Sequence, residues 1–311
     1  MESKTSIAIN RLSKKYIDKI ANLLIFDEPC IILPEYGEFG WFIMRYIRLC
    51  HIIKCPYKIV CCKKGEEIYF PTANEFYHKW EDQPDSYKHG WRDISVFSRK
   101  TKANLIEILK RKYPNFILID LSNTIWEDTY NVVQQCKFQQ LLEDLLLKES
   151  LTLENIFSTI TFPLSYFKQN LDVDIVIGAR KRMRRLQRNW TLWNDLSDSL
   201  IKNNISFAVI GLKETTFKVN GALYYSWDFE KQIDAMVELL YKCKIFVGTD
   251  TGTFHFANFI QKPILLFGGA GQASMDYMCD MKNVTMSKSR NNINIMQNEI
   301  LELLRTYDNK K

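Results

Sequence analysis

The chain has 311 residues, with 42 Lys or Arg against 36 Asp or Glu and a formal net charge of +6. Apolar residues make up 46% and charged residues 25%, a globular balance that excludes a disordered chain, a collagen-like repeat and a disulfide miniprotein. At roughly 150 residues per domain the length predicts two domains, and no apolar run reaches the roughly 18 to 20 residues that span a bilayer.

The N-terminus, Met1 to Asn10, lacks the apolar core of a signal peptide. A soluble, cytoplasmic chain without a transmembrane segment is therefore expected. The eight cysteines (Cys30, Cys50, Cys55, Cys61, Cys62, Cys136, Cys243, Cys279) mostly sit in apolar surroundings and show no zinc-ribbon spacing. They are expected to be reduced, buried thiols.

In chain order, Ser13 to Leu24 has apolar residues at helical spacing with Ser13 as N-cap. Cys30-Ile31-Ile32-Leu33 is a continuous apolar run stopped by Pro34, as in a strand buried on both faces. After the turn Glu35-Tyr36-Gly37-Glu38-Phe39-Gly40, a helix from Trp41 to Ile53 and a strand from Tyr57 to Cys62 complete a βαβ unit, which implies a parallel sheet. Lys63 to Arg99 reads as a long, partly irregular insertion facing an acceptor. A helix over Thr101 to Tyr113, a strand over Phe116 to Asp120 and a helix over Val132 to Glu149 follow, with a domain boundary near residues 160 to 170.

The second half alternates more regularly. Strands are predicted over Val173 to Gly178, Ser206 to Gly211, Ile245 to Gly248 and Pro263 to Gly268. Helices fall over Trp190 to Asn203, Phe229 to Cys243 and Thr251 to Gln261, which is the pattern of a doubly wound α/β domain. The last helix, Asn294 to Tyr307, is free to pack on either domain.

The sharpest chemical signal is Val247-Gly248-Thr249-Asp250-Thr251-Gly252-Thr253-Phe254-His255. An apolar strand enters a turn of small and hydroxyl residues and then a helix, whose unpaired first-turn N–H groups and dipole favour an anion. Gly252 would allow close approach, Thr251 and Thr253 would add hydroxyls, and His255 would reach the same anion. The plainer alternative is a capped buried helix in which Asp250 or Thr251 caps and His255 meets a carbonyl.

Phe246 to Gly269, FVGTDTGTFHFANFIQKPILLFGG, resembles the nucleotide-diphosphate segment of glycosyltransferase family nine, the bacterial heptosyltransferases. That family's pattern of Asp-[Ser/Thr]-Gly-x-x-His, then Ala, Pro and an apolar strand ending Phe-Gly, is matched by Asp250, Thr251, Gly252, His255, Ala257, Pro263 and Phe267-Gly268. Arg188-Asn189-Trp190 through Leu200, with Phe207 to Gly211, resembles the family's basic loop, Trp-led helix and strand. Gly37-Glu38 falls where the family has Gly-Asp, the Asp being its catalytic base; Glu replaces Asp here, and Glu35 competes.

The resemblance implies a GT-B type α/β fold with two Rossmann-like doubly wound domains facing a central cleft. Residues 1–165 would bind the acceptor, residues 166–290 the nucleotide sugar, and residues 291–311 would form a C-terminal helix that packs back on the N-terminal domain or on the other one. It implies a metal-independent, inverting transfer of a hexosyl- or heptosyl-type sugar to a saccharide or glycan acceptor, with no cofactor beyond the donor. Glu38 is the candidate base. Arg180, Arg188, Asp250, Thr251, Gly252, Thr253 and His255 are the donor-binding candidates, and Glu35 and Arg184 the acceptor-binding ones.

The run Arg180-Lys181-Arg182-Met183-Arg184-Arg185-Leu186-Gln187-Arg188 holds six cations in nine residues, directly after a strand. Arg180 and Arg188 are assigned to donor phosphates, while Arg182, Arg184 and Arg185 are open to a polyanionic acceptor. Two alternatives stand beside the saccharide transferase. One is transfer to a nucleic-acid base, which the basic balance and pI of 8.7 would suit; the other is a nucleotide-sugar-binding protein without turnover. Asp172-Val173-Asp174 has the spacing of a metal-binding Asp-x-Asp but opens a strand, at the end away from ligands. Gly268 to Gly271 lacks the Lys-Ser/Thr of a P-loop, and Trp80, Trp91, Trp126, His78 and His89 are read as packing.

Overall fold

A computed structural model of the chain describes residues 26–34, 46–47, 50–51, 53–79, 99–119, 167, 169–182, 189–267, 283–289 and 291–309. Two compact units are present: Met1–Thr161 with Ala273–Met278, and Phe162–Gln272 with Cys279–Lys311. Glu35, Glu38, Arg184, Arg188, Trp80, Trp91, Trp126, His89 and Gly268 to Gly271 lie outside the described residues, as do the predicted helices over 13–24 and 132–149.

The first unit contains a parallel sheet of β1 (Cys30–Ile32), β2 (Lys58–Cys61), β3 (Glu75–Tyr77) and β4 (Ile117–Ile119), in the order β3-β2-β1-β4. β1 is central, pairing Ile31 with Ile59 on one side and with Leu118 on the other. Its three residues are fully buried, as a continuous apolar run requires. Helix α1 (Arg99–Lys112) packs Leu105 and Leu109 onto Ile31, Leu33, Ile59 and Cys61.

β3 adds a strand within the segment Lys63 to Arg99, expected as a long, partly irregular insertion, of which residues 80–98 lie outside the described residues. It is an edge strand of three residues, too short for an alternating pattern to show. It is fixed from outside: the Asn74 side chain accepts from the Lys58 N–H at 2.8 Å, and the Tyr57 and Tyr113 hydroxyls donate to the Glu75 carboxylate at 3.2 and 2.8 Å. His78 follows it, with Nδ1 2.8 Å from the Cys62 carbonyl and Nε2 3.0 Å from Glu67.

The second unit holds six parallel strands in the order β10-β9-β8-β5-β6-β7. They are β5 (Ile175–Gly178), β6 (Phe207–Val209), β7 (Tyr224–Tyr225), β8 (Ile245–Gly248), β9 (Ile264–Leu266) and β10 (Val284–Met286). The chain runs outward from β5 through β6 to β7, then restarts at β8 on β5's other side. The β5–β8 pair is thus a topological switch point, where open α/β sheets bind ligands at the strands' carboxyl ends.

Around this sheet lie α2 (Trp193–Lys202), α3 (Gln232–Lys242), α4 (Gly252–Phe259) and α5 (Ile293–Asp308). The core joins Ile175, Ile177, Trp193, Leu196, Phe207, Val247 and Phe267, and α5 adds Met296, Ile300 and Leu304 to it. α5 also meets α2 through a 2.6 Å Ser199–Gln297 hydrogen bond. The terminal helix therefore packs within the second unit.

Of the described cysteines, Cys30, Cys50, Cys61, Cys62 and Cys243 are buried thiols outside any disulfide and Cys55 is half-buried. Burial pushes Cys30 and Cys243 up to about 12 and raises Cys61 and Cys62 further. Among the described residues no helix is long and apolar enough to cross a membrane.

Candidate functional site

β8 delivers the chain to the site as a fully buried strand and ends at Gly248. Thr251 is extended (φ −154°, ψ 168°) and N-caps α4, its hydroxyl accepting from the Phe254 N–H at 3.3 Å. The helix ladder begins one residue later, with the His255 N–H donating to the Thr251 carbonyl at 3.1 Å. The first-turn N–H groups of Gly252 and Thr253 precede that ladder and lie at the positive end of the helix.

The Thr251 and Thr253 hydroxyl oxygens are 2.9 Å apart. One of their two hydrogens joins the pair, and either hydroxyl can be the donor. His255 is 7% exposed; its Nε2 is 3.4 Å from Asp250 Oδ1, and its ring meets Phe254 edge-on at 4.9 Å. Asp250, Thr251, Gly252, Thr253 and His255 are thus brought together in one strand-turn-helix.

The floor beneath this turn consists of two glycines. Gly178, ending β5, pairs in register with Gly248, ending β8. A Cβ on Gly178 would lie 2.6 Å from the Phe246 ring and 3.1 Å from the Thr253 hydroxyl, and one on Gly248 2.8 Å from the same ring. Absence of side chains at both positions lets the Phe246 ring lie across the strand ends and lets the first turn of α4 approach β5.

Arg180 lies on the other side of β5. It bridges Thr216, and its Nη1 donates to the Thr215 hydroxyl at 2.6 Å. Arg182 instead reaches the turn, donating from Nη2 to the Asp250 carbonyl at 2.7 Å. Its main chain is held by the Asn189 carboxamide, which accepts from the Arg182 N–H at 2.7 Å and donates to its carbonyl at 3.1 Å.

Sequence reasoning named Asn189, Gly178 and Gly248 only as parts of longer segments and gave none of them a role of its own, and it left Arg182 among the other cations. The only signals were an Asn before a buried Trp and a Gly at the end of each of two apolar runs. Gly211, two residues beyond β6, is also used: it has φ +139°, and a Cβ there would collide with the Thr216 hydroxyl. Its carbonyl accepts from Gln232 Nε2 at 2.6 Å and Ser226 Oγ at 3.2 Å.

Asp174 belongs to the opposite end of the sheet. It accepts from the Ser206 hydroxyl and N–H at 2.7 and 3.0 Å and pairs with Lys244 at 3.2 Å. Burial works against its charge, but Ser206 and Lys244 outweigh that and hold its carboxyl below the usual carboxylate range. This is a structural brace between strand starts.

No protein-family model matches the chain, and no curated protein matches it. Solved structures do. The chain is similar to a glycosyl transferase family 9 protein from Veillonella parvula, at 10% identity over 93% of this chain and 99% of that one, with a TM-score of 0.54. It is also similar to the E. coli heptosyltransferase WaaC with ADP, at 14% identity over 88% and 99% of the two chains, TM-score 0.54. E. coli ADP-heptose lps heptosyltransferase II gives 11% identity over 90% and 99%, again at 0.54. At these identities the likeness is one of fold: two parallel sheets with helices, the α/β architecture of GT-B glycosyltransferases.

Proposed function

We propose that this chain is an inverting glycosyltransferase that moves a hexosyl- or heptosyl-type sugar from a nucleotide-sugar donor to a saccharide hydroxyl. The observation that carries the reading is the turn Asp250 to Thr253. It sets a helix N-terminus, the paired Thr251 and Thr253 hydroxyls and the Arg182 guanidinium together at the switch point of a sheet. Positive ends and hydroxyl donors gathered there suit a diphosphate. A fold shared with a heptosyltransferase solved with ADP supports the same ligand class.

In the transfer, the acceptor oxygen forms a bond to the anomeric carbon from the face opposite the diphosphate. The bond to the leaving oxygen breaks and its electron pair stays on the phosphate. The α4 N-terminus would stabilise that growing charge, with His255 beside it. The hydroxyl proton passes to a carboxylate, which the resemblance assigns to Glu38 with Glu35 as the competitor.

A thermal-shift series with ADP, UDP, GDP, CMP and their sugar conjugates tests the donor site. A ligand at a hundred times its Kd stabilises a protein by about 2.7 kcal/mol, so one nucleotide should raise the melting temperature by several degrees. No shift across the series in folded protein would overturn the reading. With a donor in hand, Glu38→Gln should abolish turnover while donor binding persists; near-normal turnover would remove Glu38 from the mechanism.

A further inference from the structure

Arg182 and Asn189 are joined twice across seven residues of sequence. Both main-chain polar groups of Arg182 are committed to one carboxamide, and the next residue, Trp190, is 4% exposed. The Trp190 ring lies 4.6 Å from Trp193 and 4.3 Å from Phe267, centroid to centroid. The main chain of Arg182 is thereby mounted on the core of its unit.

From that mount the guanidinium crosses from the end of β5 to the end of β8 and donates to the Asp250 carbonyl. This carbonyl precedes the N-cap and has no place in the helix ladder. Because a peptide unit is planar, holding its oxygen also sets the direction of the Thr251 N–H. The Asp250 carboxylate faces His255 on its other side, so the residue leading into the anion site is gripped at both polar ends.

We propose that Arg182 is a positioning residue for the donor site: it fixes the Asp250–Thr251 peptide plane that leads into the Thr251–Thr253 turn, and Asn189 fixes Arg182. This rests on the reading of that turn as a nucleoside-diphosphate site. A turn ordered before the ligand arrives spares the ligand that ordering cost, so the effect appears in affinity. Lys would keep the charge but not the planar fork.

Calorimetric titration with ADP, UDP and GDP tests the proposal on the wild-type chain, Arg182→Met, Arg182→Lys, Asn189→Ala, Thr251→Ala and the Arg182→Met/Thr251→Ala double variant. Loss of one charge-assisted hydrogen bond predicts an affinity about 10- to 100-fold weaker in Arg182→Met. Asn189→Ala, which changes no charge, should weaken binding in the same direction by a smaller factor. If Arg182 acts through the turn, the double variant loses less than the product of the two single losses.

Losses that multiply would make Arg182 an independent phosphate contact and overturn the positioning role, as would an unchanged Asn189→Ala. Should Arg182→Met melt early, Arg182→Lys replaces it in the cycle, with partial loss and the same non-additivity expected. Wild-type binding with unaltered Arg182 variants sinks this inference alone. Absence of wild-type binding to all three nucleotides overturns the donor-site reading and this inference with it.

Discussion

Gly178 and Gly248 face each other in register at the ends of adjacent parallel strands, and the Phe246 ring occupies the space that a side chain on either would need. With Cβ contacts of 2.6 and 2.8 Å to a fully buried ring, neither position has room for a methyl group. Gly178→Ala should destabilise the second unit by about 1–3 kcal/mol, the usual cost of overpacking. Pairing it with Phe246→Leu should recover part of that loss. Urea unfolding checks both; a Gly178→Ala protein with the wild-type midpoint would show that the ring yields freely.

Thr251 caps α4 and, in the proposed reading, also contributes to the donor site; the two roles respond differently to substitution. Thr251→Ala removes the cap and should cost about 1 kcal/mol, along with nucleotide affinity. Thr251→Ser keeps the hydroxyl and should restore both. Melting temperature with and without nucleotide separates the effects, and an Ala variant as stable as the wild type would deny the cap.

His51 sets an acid-side slope in the first unit. Burial, reinforced by the Lys58 ammonium, drives its imidazole down to about 3, while its Nε2 lies 3.2 Å from the Tyr69 carbonyl. An unfolded His binds a proton near pH 6.5, which the folded one refuses. Stability should therefore fall as pH drops below about 6.5 and keep falling towards 3, by at most about 1.4 kcal/mol per pH unit for this one proton. His51→Gln retains a donor for Tyr69 and should flatten that stretch; a curve unchanged by the substitution would contradict the assignment.

Glu238 anchors the start of the second unit to α3. Its carboxylate accepts from the Leu171 and Gln169 N–H groups at 2.9 and 3.2 Å and from Lys242 at 2.8 Å. Burial opposes its charge, but Lys242 and these N–H groups prevail and keep its carboxyl below the usual range. With the folded value depressed, its contribution is complete above the ordinary Glu value of about 4.3 and is lost as pH falls through the lower folded one. Glu238→Gln should lower stability at pH 7 by about 1–3 kcal/mol and make the unfolding midpoint less sensitive to acid below about pH 4.3. Equal acid sensitivity in both proteins would argue against it.

Ile245–Gly248 is a strand over the same four residues that its apolar run predicts, because a strand covered on both faces writes a continuous signal. β3, β7 and β10 escaped notice for the converse reason: they are two or three residues long, lie at or near sheet edges and carry polar neighbours. The Thr251 cap was legible because Ser, Thr and Asp before a helix have a local meaning. That Arg182 returns to the turn was not, since that depends on Asn189 binding a main chain seven residues away. Such a contact leaves no periodicity.

The buried thiols make the two sheets separately readable. A thiol raised to about 12, as at Cys30 and Cys243, holds almost no thiolate at neutral pH and is out of a reagent's reach until its surroundings open. Alkylation under native conditions would then act as a stopwatch for breathing motions. Modification at Cys61 or Cys62 would time the opening of the first sheet, and modification at Cys243 that of the second unit, within a single sample resolved by peptide mass.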